Sequence, residues 1–190
     1  MTAAPTWLEQ LRQRRHSGAT QRVSIRPPGT HDRHEFLTLM RNSEQLHRPW
    51  IFPPVNDAAY DDYLRRVARE DHAGFLVCEG SDKQIVGVIN LNAIVRGAFL
   101  SASLGYYAGA PFAGQGLMHE GLLLVAQHAF DVLHLHRIEA NIQPANERSK
   151  ALVRACGFRL EGLSPAYLYI DSAWRDHERW ALIDHRESLY

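Results

Sequence analysis

The chain has 190 residues, 45% of them apolar, and its 21 basic and 21 acidic residues give a formal net charge of zero. This length predicts one domain over 1–190, and the apolar fraction is enough for a packed core, which excludes a disordered chain. The charge balance excludes a dedicated nucleic-acid binder, because such proteins usually carry a strongly basic domain, so no nucleic-acid substrate is expected.

Signals for a membrane, for secretion and for a bound metal are absent from the sequence. No run approaches the roughly 18 apolar residues that span a bilayer, and no apolar stretch typical of a secretory signal follows the N-terminal arginines. The two cysteines, Cys78 and Cys156, are too few for a disulfide scaffold or a cysteine zinc cage. We therefore expect a cytoplasmic α/β protein with no membrane partner and no metal.

The first third of the chain predicts a strand and two helices after a basic extension. Alternating apolar and polar residues stopped by a Pro-Pro pair predict the strand, and apolar residues at helical spacing predict the helices. Between the helices, the segment 46–54 holds three prolines, which prevent regular structure, together with Trp50 and Phe52. Loops that carry large aromatic residues often line a site. The predicted elements are a basic extension over 1–20 with a short helix at 7–15, a strand at 23–26, and helices at 32–41 and 57–70.

The rest of the chain predicts strands grouped around two further helices. Hairpins alternate there with helical crossovers, which favours an α+β protein with a mixed sheet over a doubly wound parallel one. Gly157 ends the second helix, where a left-handed residue is preferred. The predicted strands are 74–79, 84–91, 99–107, 137–142, one that ends near 170 and one at 174–183, and the predicted helices are 116–133 and 147–156.

A glycine-containing turn between a strand and a helix is the most informative stretch. The strand holds Leu104–Tyr107, the turn is Gly114-Gln115-Gly116, and the helix begins near Leu117. Such a turn leaves several backbone N–H groups unpaired beside the positive end of the helix dipole, which favours an anion such as a diphosphate. The stretch lacks the Gly-Lys-Ser/Thr of nucleotide-hydrolysing P-loops and the three-glycine spacing of dinucleotide sites. On its own it is equally compatible with a tight helix entry.

The motifs that follow the turn carry a family resemblance. The segment 141–149 leads into a helix that ends at Cys156-Gly157-Phe158, and Trp174-Arg175-Asp176-His177 comes later. Together with the glycine turn, this ordered set resembles the GNAT superfamily of N-acetyltransferases, and within it the RimJ/RimL branch, which acetylates the N-termini of ribosomal proteins. The resemblance covers roughly residues 20–184. It implies the GNAT fold, an α/β protein of the α+β type with a mixed, mostly antiparallel sheet of about seven strands flanked by helices.

The resemblance also implies acetyl-CoA as co-substrate, held in a V-shaped splay between two central strands. The pantetheine arm would lie between the strands at 104–107 and 138–142, and the diphosphate would lie on the amides of the turn. Ala113 and Met118 depart from the pattern of the wider family, and Met118 places more bulk near the cofactor. The implied cofactor-binding residues are Leu104, Gly105, Tyr106, Tyr107, Gly114, Gln115, Gly116, Leu117, Met118, Asn141, Asn146, Arg148 and Ser149.

Three residues are candidates for catalysis, namely Ser149, Tyr106 and Tyr169. Ser149 matches the family position proposed to protonate the departing thiolate, and the two tyrosines are candidates for a proton relay. A serine in a first helical turn is also common without a function, and Asn146 suits a helix N-cap as well as a cofactor contact, so both alternatives stay open. The candidate acceptor-binding residues are Glu44, His47, Trp50, Leu168 and Trp174.

A glutamate that is the proposed base of RimL-like relatives is replaced here by Leu168. An α-amine, whose pKa is about 7.8, is roughly 14% neutral at pH 7, whereas a lysine, whose pKa is about 10.4, is roughly 0.04% neutral. A terminal amine therefore needs little more than a water relay, and the missing glutamate favours a protein N-terminus or another amine of low pKa as the acceptor. The alternatives are an acetyltransferase of a small-molecule amine and an acyl-CoA-binding module with impaired catalysis.

The zero net charge is an average over unlike segments. Residues 1–26 hold five basic residues and one acidic residue, and residues 137–159 hold five basic residues against two acidic ones. We expect the second segment to face a polyanionic cofactor, and the first allows a transient contact with a ribosomal surface.

Overall fold

In the computed structural model of the protein, the described residues are Trp7, Glu9, 21–80 and 83–186. The helix predicted at 7–15 and the contact predicted for the basic extension therefore fall mostly outside the described residues. Trp7 itself is buried, and its ring centroid lies 4.9 Å from that of Phe130.

The described residues form seven strands and five helices, together with two single 3-10 turns at Thr30–Asp32 and Ala110–Phe112. In chain order, the elements are β1 (Val23–Arg26), α1 (Arg33–Arg41), α2 (Glu44–His47), α3 (Asp57–Val67), β2 (Ala73–Glu79), β3 (Gln84–Val95), β4 (Ser101–Ala108), α4 (Leu117–Asp131), β5 (Arg137–Ile142), α5 (Glu147–Ala155), β6 (Arg159–Ile170) and β7 (Ala173–Ile183).

All seven strands belong to one mixed sheet in the order β1-β2-β3-β4-β5-β7-β6. The pairing of β4 with β5 is parallel, and the five other strand pairings of the described chain are antiparallel. A parallel pair needs a long crossover connection, and α4 provides it between β4 and β5. The fold class predicted from the sequence, a mostly antiparallel mixed sheet flanked by helices, is confirmed.

Helices cover both faces of the sheet. On one face, α4 and α5 pack over an apolar layer that includes Leu104. Gly121 lets α4 lie close to the sheet, because a Cβ atom there would be 2.7 Å from Cγ2 of Val77. On the other face, α1 and α3 contribute to a second layer in which Phe36 packs with Tyr107. Side chains of β4 therefore alternate between the two layers, as the pleat of a strand requires.

Several boundaries differ from those predicted from the sequence, most of them by one or two residues. Helix α3 ends at Val67 rather than at residue 70, and β3 continues to Val95 rather than ending near residue 91. The backbone N–H of Ile94 donates to the carbonyl oxygen of Asp71 at 2.8 Å, so a bond from outside the sheet holds the extra length of β3. The segment 46–54, predicted to lack regular structure, begins inside the single turn of α2.

Candidate active site

Strands β4 and β5 diverge at the centre of the sheet. Their last paired residues are Leu104 and Ala140, although β4 continues to Ala108 and β5 continues to Ile142. The backbone N–H of Gly109 donates to the carbonyl oxygen of Val86 at 2.7 Å, so the far end of β4 stays attached to β3. Backbone groups of successive residues in a strand point to opposite sides, and those of Gly109 point to β3. The backbone groups of Tyr106 and Ala108 therefore face the opening between β4 and β5. This divergence is the V-shaped splay predicted from the sequence.

The turn after β4 has the backbone of an anion-binding site. Gly114 and Gly116 both have φ of +78°, a left-handed conformation that glycine adopts without a steric penalty. Within the described residues, the backbone amides of 114–118 donate to no backbone carbonyl group, and α4 begins at Leu117. Unpaired amides at the positive end of a helix dipole favour a negatively charged group.

The side chains of Leu117 and Met118 point into the core rather than toward the turn. Leu117 is fully buried, and Met118 is buried against β3, where a Cβ atom at Gly87 would lie 2.5 Å from the Met118 sulfur. The extra bulk of Met118, which the sequence placed near the cofactor, is therefore taken up by the glycine of β3. What these two residues can offer to a ligand at the turn is their backbone amides.

An arginine from the start of the described chain reaches this turn, and no sequence motif indicated it. Arg22 donates from Nε to Oε1 of Glu120 at 2.6 Å and from Nη1 to the carbonyl oxygen of Gln115 at 3.2 Å. Glu120 is buried in the first turn of α4, where a carboxylate interacts favourably with the helix dipole. This environment suits a structural role for Glu120. The contact was missed because 93 residues separate Arg22 from Gln115.

Two hydroxyl groups meet at the splay. The Tyr106 and Ser149 oxygens, Oη and Oγ, are 2.5 Å apart, and Oη is also 3.3 Å from the Ser149 carbonyl oxygen. Burial raises the pKa of Tyr106 above its ordinary value, so the phenol keeps its proton at neutral pH. Oδ1 of Asn146 accepts a hydrogen bond from the Ser149 backbone N–H at 3.1 Å and so caps α5. The structure thus brings together three of the residues singled out in the sequence.

Two basic residues in the first turns of α5 have different surroundings. Lys150 is buried and donates from Nζ to the carbonyl oxygen of Pro144 at 2.6 Å, and it pairs with Glu147 at 2.7 Å and with Glu178 of β7 at 3.4 Å. It therefore ties the loop between β5 and α5 to the neighbouring strand. Arg148 is exposed at the start of the same helix, where a guanidinium is accessible to an anionic ligand.

The side chains of Asn141 and Tyr107 lie on the face of the sheet opposite to the Tyr106–Ser149 pair. Asn141 Nδ2 is 3.5 Å from Oγ of Ser103, and within the described residues its buried Oδ1 has no hydrogen-bond partner. Tyr107 packs in the layer with α1. Gly105 lies on the same face, where a Cβ atom would be 3.3 Å from Nδ2 of Asn92. For a cofactor on the α4 and α5 side, Asn141 and Tyr107 offer their backbone.

Of the candidate acceptor residues near α2, His47 reaches the splay. It is buried, and Nε2 lies 2.8 Å from the carbonyl oxygen of Ala108, so Nε2 carries the proton of this hydrogen bond. Burial lowers the pKa of His47, which keeps the imidazole neutral at pH 7. Glu44 is exposed and pairs with Arg48 at 3.2 Å, and Trp50 is half-buried in the following loop.

The other candidates lie at the end of the hairpin formed by β6 and β7. The rings of Tyr169 and Trp174 pack edge to face across the two strands at 5.6 Å, and both side chains are largely exposed, as is Leu168. Pairing of β7 with β5 ends at Glu178, so this end of the hairpin projects past β5. Among the described contacts, none joins Tyr169 to the hydroxyl pair at the splay.

The described residues contain neither a metal-binding cluster nor a helix that could span a membrane. Within 21–80, 83–186 and the two described N-terminal positions, no group of three or more His, Cys, Asp or Glu side chains is placed to hold a metal ion. In that same part of the chain, no helix has the length and apolar character needed to cross a membrane.

Sequence comparison places this geometry among known acetyltransferases. Residues 22–159 match the acetyltransferase (GNAT) domain. The chain is 42% identical over 175 residues to the [ribosomal protein uS5]-alanine N-acetyltransferase of Escherichia coli, an alignment covering 86% of this chain and 88% of the relative. It is also 33% identical over 123 residues to the probable N-acetyltransferase YjcK of Bacillus subtilis, covering 65% of this chain and 68% of that protein.

Solved structures give the same result. The RimJ protein of Mycobacterium smegmatis, in complex with CoA-disulfide, superposes with a TM-score of 0.77 at 29% identity, covering 85% of this chain and 81% of that one. The ribosomal-protein-S5-alanine acetyltransferase of Vibrio fischeri superposes with a TM-score of 0.75 at 25% identity, covering 86% and 94%. The splay, the turn and these similarities show that the chain belongs to the GNAT family of acetyl-CoA-dependent N-acetyltransferases.

Proposed function

We propose that this protein transfers the acetyl group of acetyl-CoA to the α-amine at the N-terminus of a protein. The observation that carries the proposal is the hydroxyl pair of Tyr106 and Ser149, which joins β4, beside the opening between β4 and β5, to the capped first turn of α5. The 42% identity to an enzyme named for alanine acetylation on ribosomal protein uS5 supports a protein N-terminus as the acceptor.

The chain fits acetyl-CoA through backbone groups. The amides of 114–118 hold the diphosphate, because the left-handed glycines keep this turn clear of side chains. The backbone groups of Tyr106 and the N–H of Ala108, which face the splay, pair with the pantetheine arm, while the Ala108 carbonyl accepts from His47. Arg148 is accessible for a charge-assisted contact with a phosphate of the cofactor. Acetyl-CoA supplies a thioester carbonyl that a neutral amine attacks, with the thiolate as leaving group.

Ser149 supplies the proton that the leaving thiolate takes up, and the proton that the amine loses as the amide forms returns through water to the Ser149 oxygen, so the hydroxyl is restored. Tyr106 keeps its own proton, since burial raises its pKa, and in the proposed reaction its O–H donates to Oγ of Ser149, 2.5 Å away. The hydroxyl proton of Ser149 is then directed away from Tyr106 and toward the ligand. The Asn146 cap fixes the first turn of α5 and with it the position of Ser149.

The acceptor amine enters from the face that carries α1 and α3, where several polar groups beside the splay are neutral. They include the carboxamide of Asn141, the hydroxyl of Ser103 and the imidazole of His47. Leu168 stands where relatives have a proposed base. Without a strong base, only the neutral fraction of an amine can react, and at pH 7 that fraction is far larger for an α-amine than for a lysine. The site therefore selects the α-amine.

We further propose that the acceptor is a ribosomal protein in the cytoplasm. The name of the Escherichia coli relative supports it, and the five basic residues within 1–26 suit a brief contact with a ribosomal surface. Most of that segment lies outside the described residues, so charge alone argues for the contact.

Thiol release from acetyl-CoA tests the function. The acceptors are a peptide that begins with alanine, the same peptide with a blocked N-terminus and an internal lysine, and a panel of small amines that includes spermidine. The proposal expects turnover with the first peptide and little with the others. Preferred turnover of a small amine would reassign the acceptor class, and saturable acetyl-CoA binding without turnover on any acceptor would make the protein a binding module.

A further inference from the structure

The diphosphate turn is held from outside by one arginine. Arg22 lies just before β1, and its guanidinium bonds both to the carbonyl oxygen of Gln115 in the turn and to the carboxylate of Glu120 in α4. The same guanidinium lies beside Gly116, since a Cβ atom there would be 3.4 Å from Nη2 of Arg22. One side chain therefore contacts the turn and the first turn of the helix that follows it.

The bond to the Gln115 carbonyl fixes the direction of an amide that matters for ligand binding. In a trans peptide, the C=O and the next N–H lie in one plane and point in opposite directions. The carbonyl of Gln115 points at Arg22, so the N–H of Gly116 points away from Arg22. Glycines stand on both sides of Gln115, with φ of +78° at each, and such flexible positions let a peptide plane rotate unless something holds it.

Glu120 makes the arrangement specific to arginine. Its side chain is 4% exposed, while that of Arg22 is 48% exposed, so a buried carboxylate anchors a guanidinium that stays partly open to solvent. The planar fork of arginine can bond a carboxylate with one edge and a carbonyl group with another, and the single ammonium of lysine cannot reproduce both directions. The positive charge also stays close to the place where the diphosphate binds.

We infer that Arg22 is a positioning residue for acetyl-CoA, which holds the Gln115–Gly116 peptide so that the Gly116 amide faces the diphosphate. The inference rests on the proposed function, in which the backbone amides of 114–118 bind the diphosphate. Arg22 acts on the diphosphate part of the ligand through the turn, and it touches neither the acyl group nor the acceptor. Its loss should weaken binding of acetyl-CoA and leave the chemical step unchanged.

A second ion pair on the same strand provides a matched control. Arg26 bonds to Asp32 through both terminal nitrogens, at 2.9 and 2.6 Å, and Asp32 is 3% exposed. R22M and R26M each remove the guanidinium partner of a buried carboxylate, so both should lower the melting temperature. Among the described residues, the Arg26 guanidinium bonds to Asp32 and to the carbonyl oxygen of Pro27, and no hydrogen bond or ion pair joins it to 114–118.

The test compares acetyl-CoA with S-acetylpantetheine, which has the same thioester and arm but no diphosphate. For R22M we expect KM for acetyl-CoA to rise about tenfold or more, because a charge-assisted contact is lost. The kcat with acetyl-CoA and the kcat/KM for S-acetylpantetheine should stay within about twofold of the wild-type values. R22K should share the defect, and R26M should keep the original KM for acetyl-CoA.

Three results would overturn the role of Arg22. They are an unchanged KM for acetyl-CoA in R22M, a full return of the original KM in R22K, and an equal rise in KM in R22M and R26M. A different result would overturn the proposed diphosphate-binding site itself. If the unchanged protein uses acetyl-CoA no better than S-acetylpantetheine, the turn at 114–118 binds no diphosphate, and the inference about Arg22 falls with it.

Discussion

The hydroxyl of Ser149 is the group whose removal separates binding from chemistry. Its backbone N–H is bonded to the Asn146 cap, so S149A keeps the start of α5 and deletes the hydroxyl that we propose protonates the thiolate. We expect kcat to fall about 100-fold, the lower range for general acid catalysis, with KM for acetyl-CoA near its original value. Steady-state kinetics with an alanine-starting peptide measures both constants.

S24A is the matched control for S149A, because Ser24 is an exposed serine on β1. Y106F should lower kcat in the same direction, since it removes the partner that orients the Ser149 hydroxyl and keeps the aromatic packing. An unchanged kcat in S149A at saturating substrate would remove the acid role from Ser149.

His47 makes the stability of the protein depend on pH. Burial lowers its pKa below the ordinary 6.5, and the pKa of His128 is lowered for the same reason. In this situation the unfolded chain binds protons more readily than the folded chain, so stability is complete above pH 6.5 and is lost as the pH falls below it. We expect the melting temperature to fall between pH 7 and pH 5.

H47Q tests the contribution of His47, because glutamine can still donate to the Ala108 carbonyl and does not titrate. The drop in melting temperature from pH 7 to pH 5 should be smaller in H47Q than in the original protein. H34Q, at an exposed position of α1, is the control for replacing a histidine by a glutamine outside the core. An identical pH dependence in the original protein and H47Q would show that His47 is not a source of the effect.

At the scale of single residues, sequence motifs identified those that share a short segment and missed those that do not. Asn146 and Ser149 lie three positions apart in one motif, so their cap geometry could be read from the sequence and is present in the structure. Arg22 and Gln115 meet only through the fold. Whether Asn141 faces the cofactor side depends on strand register, which the motif does not contain, and its side chain lies on the opposite face from Ser149.

At the scale of elements, the start of α5 combines a structural cap with a part of the site. Asn56 caps α3 in the same way, with Oδ1 accepting from the Ala59 N–H at 2.9 Å, far along the chain from the splay. N146A and N56A should each cost about 1 kcal/mol of folding free energy, the usual value for a lost cap. N146A should in addition raise KM for acetyl-CoA, because the first turn of α5 loosens beside the ligand.

Chemical denaturation and initial-rate kinetics on both cap variants separate the two roles. Equal losses of stability together with unchanged kinetics in N146A would reduce Asn146 to a cap, the alternative that the sequence left open. A rise in KM in both variants would show that general loosening, rather than the position of the cap, affects the site.

The order of the elements was predictable because each has its own periodicity or turn signal. The strand at 23–26, the hairpin of β2 and β3, and the helix ended by Gly157 all stand where the sequence predicted them. Lengths were less predictable, since they depend on partners elsewhere in the fold. The extension of β3 to Val95 is held by a bond to Asp71, and no local pattern around residue 91 reports that bond.

At the scale of the whole molecule, the splay explains how a chain of zero net charge can handle a polyanionic ligand and a cationic amine. In the proposed complex, the anion would meet backbone amides, the dipole of α4 and the nearby guanidinium of Arg22 on one side. The amine would meet neutral groups on the other side, among them Asn141 and His47. The sequence predicted the family through motif order, and the assignment of each side chain to a face required the register of the sheet.

The most direct test of protein N-terminal acetylation by this chain is mass spectrometry of protein N-termini from cells with and without it. The account predicts that at least one N-terminus beginning with alanine or serine, on a ribosomal protein, loses its acetyl group when the protein is absent. Acetylation should return with the original protein and not with S149A. An identical set of acetylated N-termini in all three cases, with a small amine acetylated by the purified protein, would contradict it.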